Sequence, residues 1–157
     1  MKITFLLNGK TDKKYVEEGI NIFDKRIKRY LPFQIITIPA LKNTKSLSPH
    51  QQKEKESELM LKHFNAGDHI ILLDEKGKEY SSIQFADSIQ KQMNSGIKNL
   101  VFVVGGPYGF SDTIKQKANG KISLSRMTFS HQLIRVIFME QLYRAMTILK
   151  NEPYHNE

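Results

Sequence analysis

The run VFVVGGPYGF, residues 101–110, constrains the fold of this chain more than any other stretch. Val101 to Val104 have no polar alternation, which marks a strand buried on both faces, as in a parallel sheet. HIILLD at 69–74 is apolar in the same way, and KITFLL (2–7) and FQIITIP (33–39) also read as strands. Segments of helical character separate them. A helix starting at Thr11 or Asp12 places Val16, Ile20, Phe23 and Ile27 at helical spacing. In SPHQQKEKESELMLKHFNAG, Ser48 caps a helix, Pro49 takes its first position and Gly67 stops it. The first half of that helix is polar enough to face solvent. Ser81 with Gln84 forms a capping box for a third helix that closes at Gly96. After the strand at 99–104 come a short helix near 111–117, a strand KISLS, and a last helix from Ser130 to about Lys150. Strands joined through single helices predict an α/β fold: a mostly parallel sheet with helices on both faces, in one domain spanning residues 1–157.

A buried strand that opens into Gly105, Gly106, Pro107 and Gly109 needs close approach, either to a ligand or to another stretch of backbone. Familiar phosphate cradles do not fit. The Walker pattern is missing, and the glycines read G-G-x-x-G after the fourth strand, not G-x-G-x-x-G after the first. These mismatches argue against a nucleotide-dependent oxidoreductase or hydrolase. His50, His63, His69, His131 and His155 show no metal-ligand spacing, and there is no cysteine, so no metal is expected. No G-x-S-x-G elbow marks a hydrolase serine.

Parallel sheets bind ligands beyond the carboxyl ends of their strands. Three successive strands end in marked bends: 73–78, 105–109 and 124–129. If those strands are neighbours, the bends meet at one rim. A pocket lined by main chain, with Leu73, Leu124, Met127 and Phe129 as walls, suits an adenine ring; the same side chains can equally be core filling. The last helix is apolar nearly all round, with Leu133, Ile134, Ile137, Phe138, Leu142, Ala145, Ile148 and Leu149 over half its circumference and Val136, Met139 and Met146 beyond. Such a helix is buried on more than one side, and a second subunit can supply the cover. Gln141 and Arg144 lie beside that arc; Arg144 either pairs with Glu140 four residues before it or serves a ligand or subunit contact.

Twenty-four Lys and Arg against sixteen Asp and Glu leave a net charge of +8, which favours a polyanionic partner such as nucleic acid. The cluster Lys25, Arg26, Lys28 and Arg29 concentrates that charge at a helix end, where cations are favoured in any case. No stretch approaches the ~20 apolar residues of a membrane span, so no membrane partner is expected. The lack of cysteine and of a signal-peptide core leads to an expectation of a cytoplasmic protein.

LDEKGKEYSS, VFVVGGPYGF, ISLSRMTFSHQLIRVIFMEQLYRA and the ending NEPYHNE together resemble the small SPOUT-class RNA methyltransferases. Within that class the likeness is to the family that methylates the N3 position of a pseudouridine in 23S ribosomal RNA. It extends from Gly9-Lys10 to the tail, and its most specific part is S-L-S-R-M-T-F-x-H followed by E-Q-x-Y-R-A. The resemblance implies a C-terminal trefoil knot, a homodimer built on the last helix, and S-adenosylmethionine as methyl donor. It also implies 23S rRNA as substrate, within the ribosome. Carried over residue by residue, the donor site comprises Leu73, Gly105, Leu124, Ser125, Arg126, Met127, Thr128 and Phe129.

Methyl transfer to an imide nitrogen calls for a positioned base or a cation that stabilises the anion. The candidates are His155 with Tyr154 on the tail, and His131 with Arg135 one turn apart on the last helix. The tail is expected to be disordered until RNA binds. Where the family's tail commonly has a basic residue after Tyr-His, this chain has Asn156. The alternative reading is an RNA-binding protein of the same fold without catalysis.

Overall fold

A computed structural model describes residues 1–156. Five strands, β1 (Lys2–Asn8), β2 (Phe33–Ile38), β3 (His69–Glu79), β4 (Asn99–Val104) and β5 (Gly120–Ser123), form one sheet in the order β2-β1-β4-β3-β5. Every pairing is parallel. The helices are α1 (Lys14–Ile27), α2 (Pro49–Leu61), α3 (Ser82–Asn94), α4 (Asp112–Lys117) and α5 (Leu133–Leu149). The α/β architecture expected from the alternation of apolar strands and helical segments is the one observed.

The pleat of β4 divides the core. Leu100, Phe102 and Val104 point to one face, where α5 packs between α1 and α3. There Phe138 of α5 stacks on Phe5 and Phe102, at ring separations of 4.6 and 4.8 Å. Val101 and Val103 point to the other face, with Met60 of α2 and Phe110 and Ile114 at α4. A strand with both faces buried has no polar alternation to show, which accounts for VFVV. Gly19 of α1 permits close helix contact, since a Cβ there would lie 2.6 Å from Val136 Cγ2 of α5.

Some boundaries differ from expectation. α1 begins at Lys14, not at Thr11 or Asp12, because the Asp12 N–H donates to Gln132 Oε1 (3.0 Å) and the chain there is tied across to α5. Ser130 still accepts from the Leu133 N–H at 3.0 Å, although regular helix starts at Leu133. β5 is shorter than KISLS because the Ser123 hydroxyl donates to the Ser125 carbonyl and turns the chain. The third strand outruns Asp74: Leu73 pairs with Ile122, residues 74–77 loop out, and Lys78 pairs with Ile122 again. Gly77 closes that bulge against β5 backbone, where a Cβ would meet Ile122 N and C at 2.6 Å. Among the described residues no helix is long and apolar enough to cross a membrane.

Candidate functional site

Because β4, β3 and β5 are adjacent, the loop-out at 74–77 of β3 and the bends after β4 and β5 meet at one edge of the sheet. They enclose a cavity of about 610 Å³. Its apolar wall comes from strand ends, with Leu73, Val104 and Ile122, together with Leu124, Phe129 and Ile134. Most of the rest comes from two bends, residues 105–109 and residues 123–130 apart from Arg126.

Local bonding explains why each bend holds its shape. In the glycine bend, the Gly109 N–H donates to the Gly106 carbonyl at 3.1 Å, and Gly109 has φ +79°, which a side chain resists. Phe110 then anchors the bend in the core, and Ser111 caps α4 through the Ile114 N–H. In the third bend, the Met127 N–H donates to Ser125 Oγ at 2.9 Å. Two contacts join the first bend to the third: Thr128 Oγ1 donates to Glu75 at 2.9 Å, and Arg126 Nε pairs with Glu79 at 2.9 Å. Lys53, Lys76 and Lys115 also border the cavity, so its mouth is cationic despite Asp74 and Glu75.

The residues expected to hold a methyl donor are largely brought together. Leu73, Gly105, Leu124, Ser125, Met127, Thr128 and Phe129 all border the cavity. Arg126 does not; its side chain is 87% exposed and turned to Glu79, so its observed place is as a clip between bends. Lys53 and Lys115 were not among the expected residues, because charges on α2 and α4 look like ordinary solvated helix faces. Among the described residues no group of His, Asp and Glu is arranged to hold a metal.

The catalytic candidates separate into two places. His131 borders the cavity and is exposed. Arg135 does not border it. Its guanidinium is completely buried and donates to the carbonyls of Asn8, Gly9 and His131 and to Thr11 Oγ1, at 2.9 to 3.0 Å. Burial pushes its pKa down and Asp12 pulls it back up, but a guanidinium so far from neutrality stays charged. With its donors committed to backbone, Arg135 is a brace that fixes His131 and the start of α5 to the end of β1, and is not placed to reach a substrate.

Tyr154 and His155 lie on the outer face of α5. The Tyr154 hydroxyl donates to Glu140 at 3.0 Å, and Arg144 donates to His155 Nδ1 at 3.1 Å while pairing with Glu140 at 2.5 Å. Arg144 also sits 4.8 Å from the Tyr154 ring centre, and Tyr143 packs edge-on at 4.7 Å. Burial, then Glu140, raises the Tyr154 pKa, so its phenol stays protonated. The tail thus packs against its own helix, where the sequence suggests disorder until RNA binds. Ten residues of helix separate Ile134 from Arg144, about 15 Å along the axis.

Comparison with known proteins places this geometry. The family model described as "Predicted SPOUT methyltransferase" matches residues 1–155. A protein of Parabacteroides distasonis named "Ribosomal RNA large subunit methyltransferase H" is 58% identical over 157 residues, covering 100% of both chains. A protein of the same name from Flavobacterium johnsoniae is 56% identical, again over 100% of each. Among solved structures, a probable methylase family protein from Haemophilus influenzae superposes with a TM-score of 0.54 at 11% identity. That match covers 95% of this chain and 66% of the other, and it speaks to the fold alone. A match along essentially the whole length, to a family model and to relatives above half identity, leaves one assignment: the chain belongs to the SPOUT methyltransferase family.

Proposed function

We propose that this methyltransferase transfers a methyl group from S-adenosylmethionine to the N3 position of a pseudouridine in 23S ribosomal RNA, working as a homodimer on the ribosome. The observation that carries the reading is the cradle of three bends. Its volume suits a nucleoside-sized ligand, and it combines an apolar wall from the strand ends with two glycine- and serine-containing bends. The relatives' shared name supports ribosomal RNA as the substrate class, and the net charge of +8 supports a polyanionic one.

The residues fit the donor. Leu73, Val104, Ile122, Leu124 and Phe129 would pack the adenine, and the backbone of the 105–109 and 124–129 bends would bond its polar edges. S-adenosylmethionine, when bound, supplies an electrophilic methyl group on a sulfonium. The protein's part is to hold the acceptor nitrogen in line and to manage its proton. The N3–H of pseudouridine is a weak imide acid, and His131, which borders the cavity, would accept that proton. Lys53 and Lys115 would stabilise the negative charge left on the base or hold neighbouring phosphates.

Tyr154 and His155 enter through the dimer. α5 presents Leu133, Ile137 and Ile148 half-buried on its outward side. Beside them α1 exposes Tyr15 (64%) and Ile22 (50%), and α3 exposes Ile83. An apolar surface of this kind suits a second copy. Because Tyr154 and His155 do not border their own cavity, a tail from the partner is the one that would complete the site. The knot implied by the family would run through the tight passage where Gly77 meets the Ile122 backbone. Incubating ribosomes that lack the modification with the protein and S-adenosylmethionine, then mapping 23S rRNA by mass spectrometry, tests the reading. One added methyl on N3 of a pseudouridine is expected. A methyl on another atom, or none, refutes it.

A further inference from the structure

Glu56 is a buried carboxyl that the proposed chemistry does not use. It lies mid-helix in α2 and is 4% exposed. One oxygen, Oε2, accepts from the side-chain amide of Asn8 at the end of β1. The other, Oε1, has no hydrogen-bond partner of good geometry among the described residues, the Gln52 amide being near enough only to lower the carboxyl's pKa. No cation pairs with it among the described residues. Burying such a group is unfavourable and needs a compensating reason.

The glycine bend supplies that reason. A Cβ on Gly106 would fall on the Glu56 carboxyl, with Cδ at 2.9 Å and Asn8 Nδ2 also at 2.9 Å. The absent side chain of Gly106 is therefore the space that Glu56 occupies. Gly106 and its neighbours Gly105 and Pro107 border the cavity, which Glu56 itself does not. Behind Glu56 the next residue, Ser57, shares a buried hydrogen bond with Ser111, the cap of α4, so both ends of the bend are tied to α2.

We propose that Glu56 is a positioning residue for the methyl donor: held by Asn8, its carboxyl is the support on which Gly106 rests, and it sets where the donor-binding bend stands. This rests on the reading of the cavity as the donor site. Burial raises the Glu56 pKa, while the amides of Asn8 and Gln52 work in the opposite direction. Two cations border the same cavity, Lys53 one turn earlier on α2 and Lys115 on α4. As pH rises through the raised pKa, a buried charge forms beneath Gly106 and the bend loses its seat.

Calorimetric titration of S-adenosylmethionine into the full-length dimer, between about pH 5 and pH 9, tests this on the wild type, Glu56→Gln and Glu56→Ala. The wild type is expected to lose affinity as pH rises. Glu56→Gln, which keeps shape without ionising, is expected to match the wild type at the acid end and to stay flatter with pH, so the difference between the two profiles isolates Glu56. Glu56→Ala is expected to bind about tenfold more weakly, the scale of one lost contact. If the alanine variant does not fold, the glutamine profile decides alone. Wild-type affinity and an unchanged pH profile in the variants that fold would overturn the inference. A wild type that does not bind the donor would overturn the reading of the cavity, and this inference with it.

Discussion

Gly77→Ala is the most exacting test of the close passage between β3 and β5. Gly77 has no left-handed backbone requirement, so an alanine there acts through space alone. Its Cβ would lie 2.6 Å from Ile122 N and C and 2.7 Å from Lys121 C. All three are backbone atoms, which cannot rotate aside, so the strands must part by about 0.8 Å to reach ordinary contact. β5 pairs only with β3, and Ile122 is the residue that pairs twice, with Leu73 and with Lys78. Overpacking costs about 1–3 kcal/mol, and a ladder bond lost in the process costs about 1 kcal/mol more, so a total near 2–4 kcal/mol is expected. With a urea slope of about 2 kcal/mol/M, the midpoint should fall by about 1–2 M at fixed protein concentration. Gly67→Ala is the control. It has φ +86° and nothing within 4 Å, so it should cost about 1 kcal/mol from backbone strain alone. Donor affinity should fall at least about tenfold in Gly77→Ala and stay unchanged in Gly67→Ala, because only Gly77 touches the wall between two of the three bends. A Gly77→Ala protein as stable as the control, or one destabilised with its donor affinity intact, would refute the reasoning.

Tyr30 donates to Glu152 at 2.5 Å, and burial and that carboxylate push its pKa up from 10.0 to about 12. The stabilisation this represents is complete below pH 10 and is lost as pH rises through about 12. Tyr30→Phe should therefore melt slightly lower than the wild type at pH 8, by under about 1 kcal/mol at this exposed contact, and the two should converge near pH 12; parallel melting curves across that range would exclude the bond. In the basic cluster, Arg26 is engaged with aromatic rings, 5.6 Å from the Phe23 ring centre and 5.3 Å from that of Tyr143, so Lys25 and Arg29 are the cleaner probes. Lys25→Glu with Arg29→Glu should weaken ribosome binding and reduce its salt slope by about 2; an unchanged slope would remove this face from the RNA contact.

What could be read in the sequence follows from how locally each feature is determined. β4 declared itself because burial on both faces erases alternation, and the caps of α2 and α3 were legible because a capping box is a four-residue event. The three bends proposed to hold the donor were legible for a similar reason: each is a short stretch at the end of an apolar run, and only the strand order was needed to bring them together. Glu56 was not legible. Within KEKESE it looks like part of a solvated charge run, and its burial is decided by Asn8 and Gly106, far away in the chain. The bracing bonds of Arg135 were hidden for the same reason, since its carbonyl partners at residues 8 and 9 are visible only once β1 and α5 are side by side. The tail's order likewise depends on Glu140 and Arg144 facing outward together, which a helical period allows but does not announce.

α5 divides the proposed chemistry between its two ends. At its start, Gln132 and Arg135 tie the helix to the Lys10, Gly9 and Asn8 carbonyls, so His131 is fixed relative to the sheet edge that carries the cavity. At its far end, Glu140 and Arg144 hold Tyr154 and His155. A helix is stiff over this length, so the two groups cannot meet by bending. Two copies packed through the outward face of α5, related by a two-fold axis and running antiparallel, would place each tail beside the other copy's His131. On that arrangement a lone chain has every element of the donor cradle but only half of the residues proposed to act on the acceptor. Binding the donor and modifying RNA are then distinct requirements on the same fold, the first met by three bends of one chain and the second by two chains together.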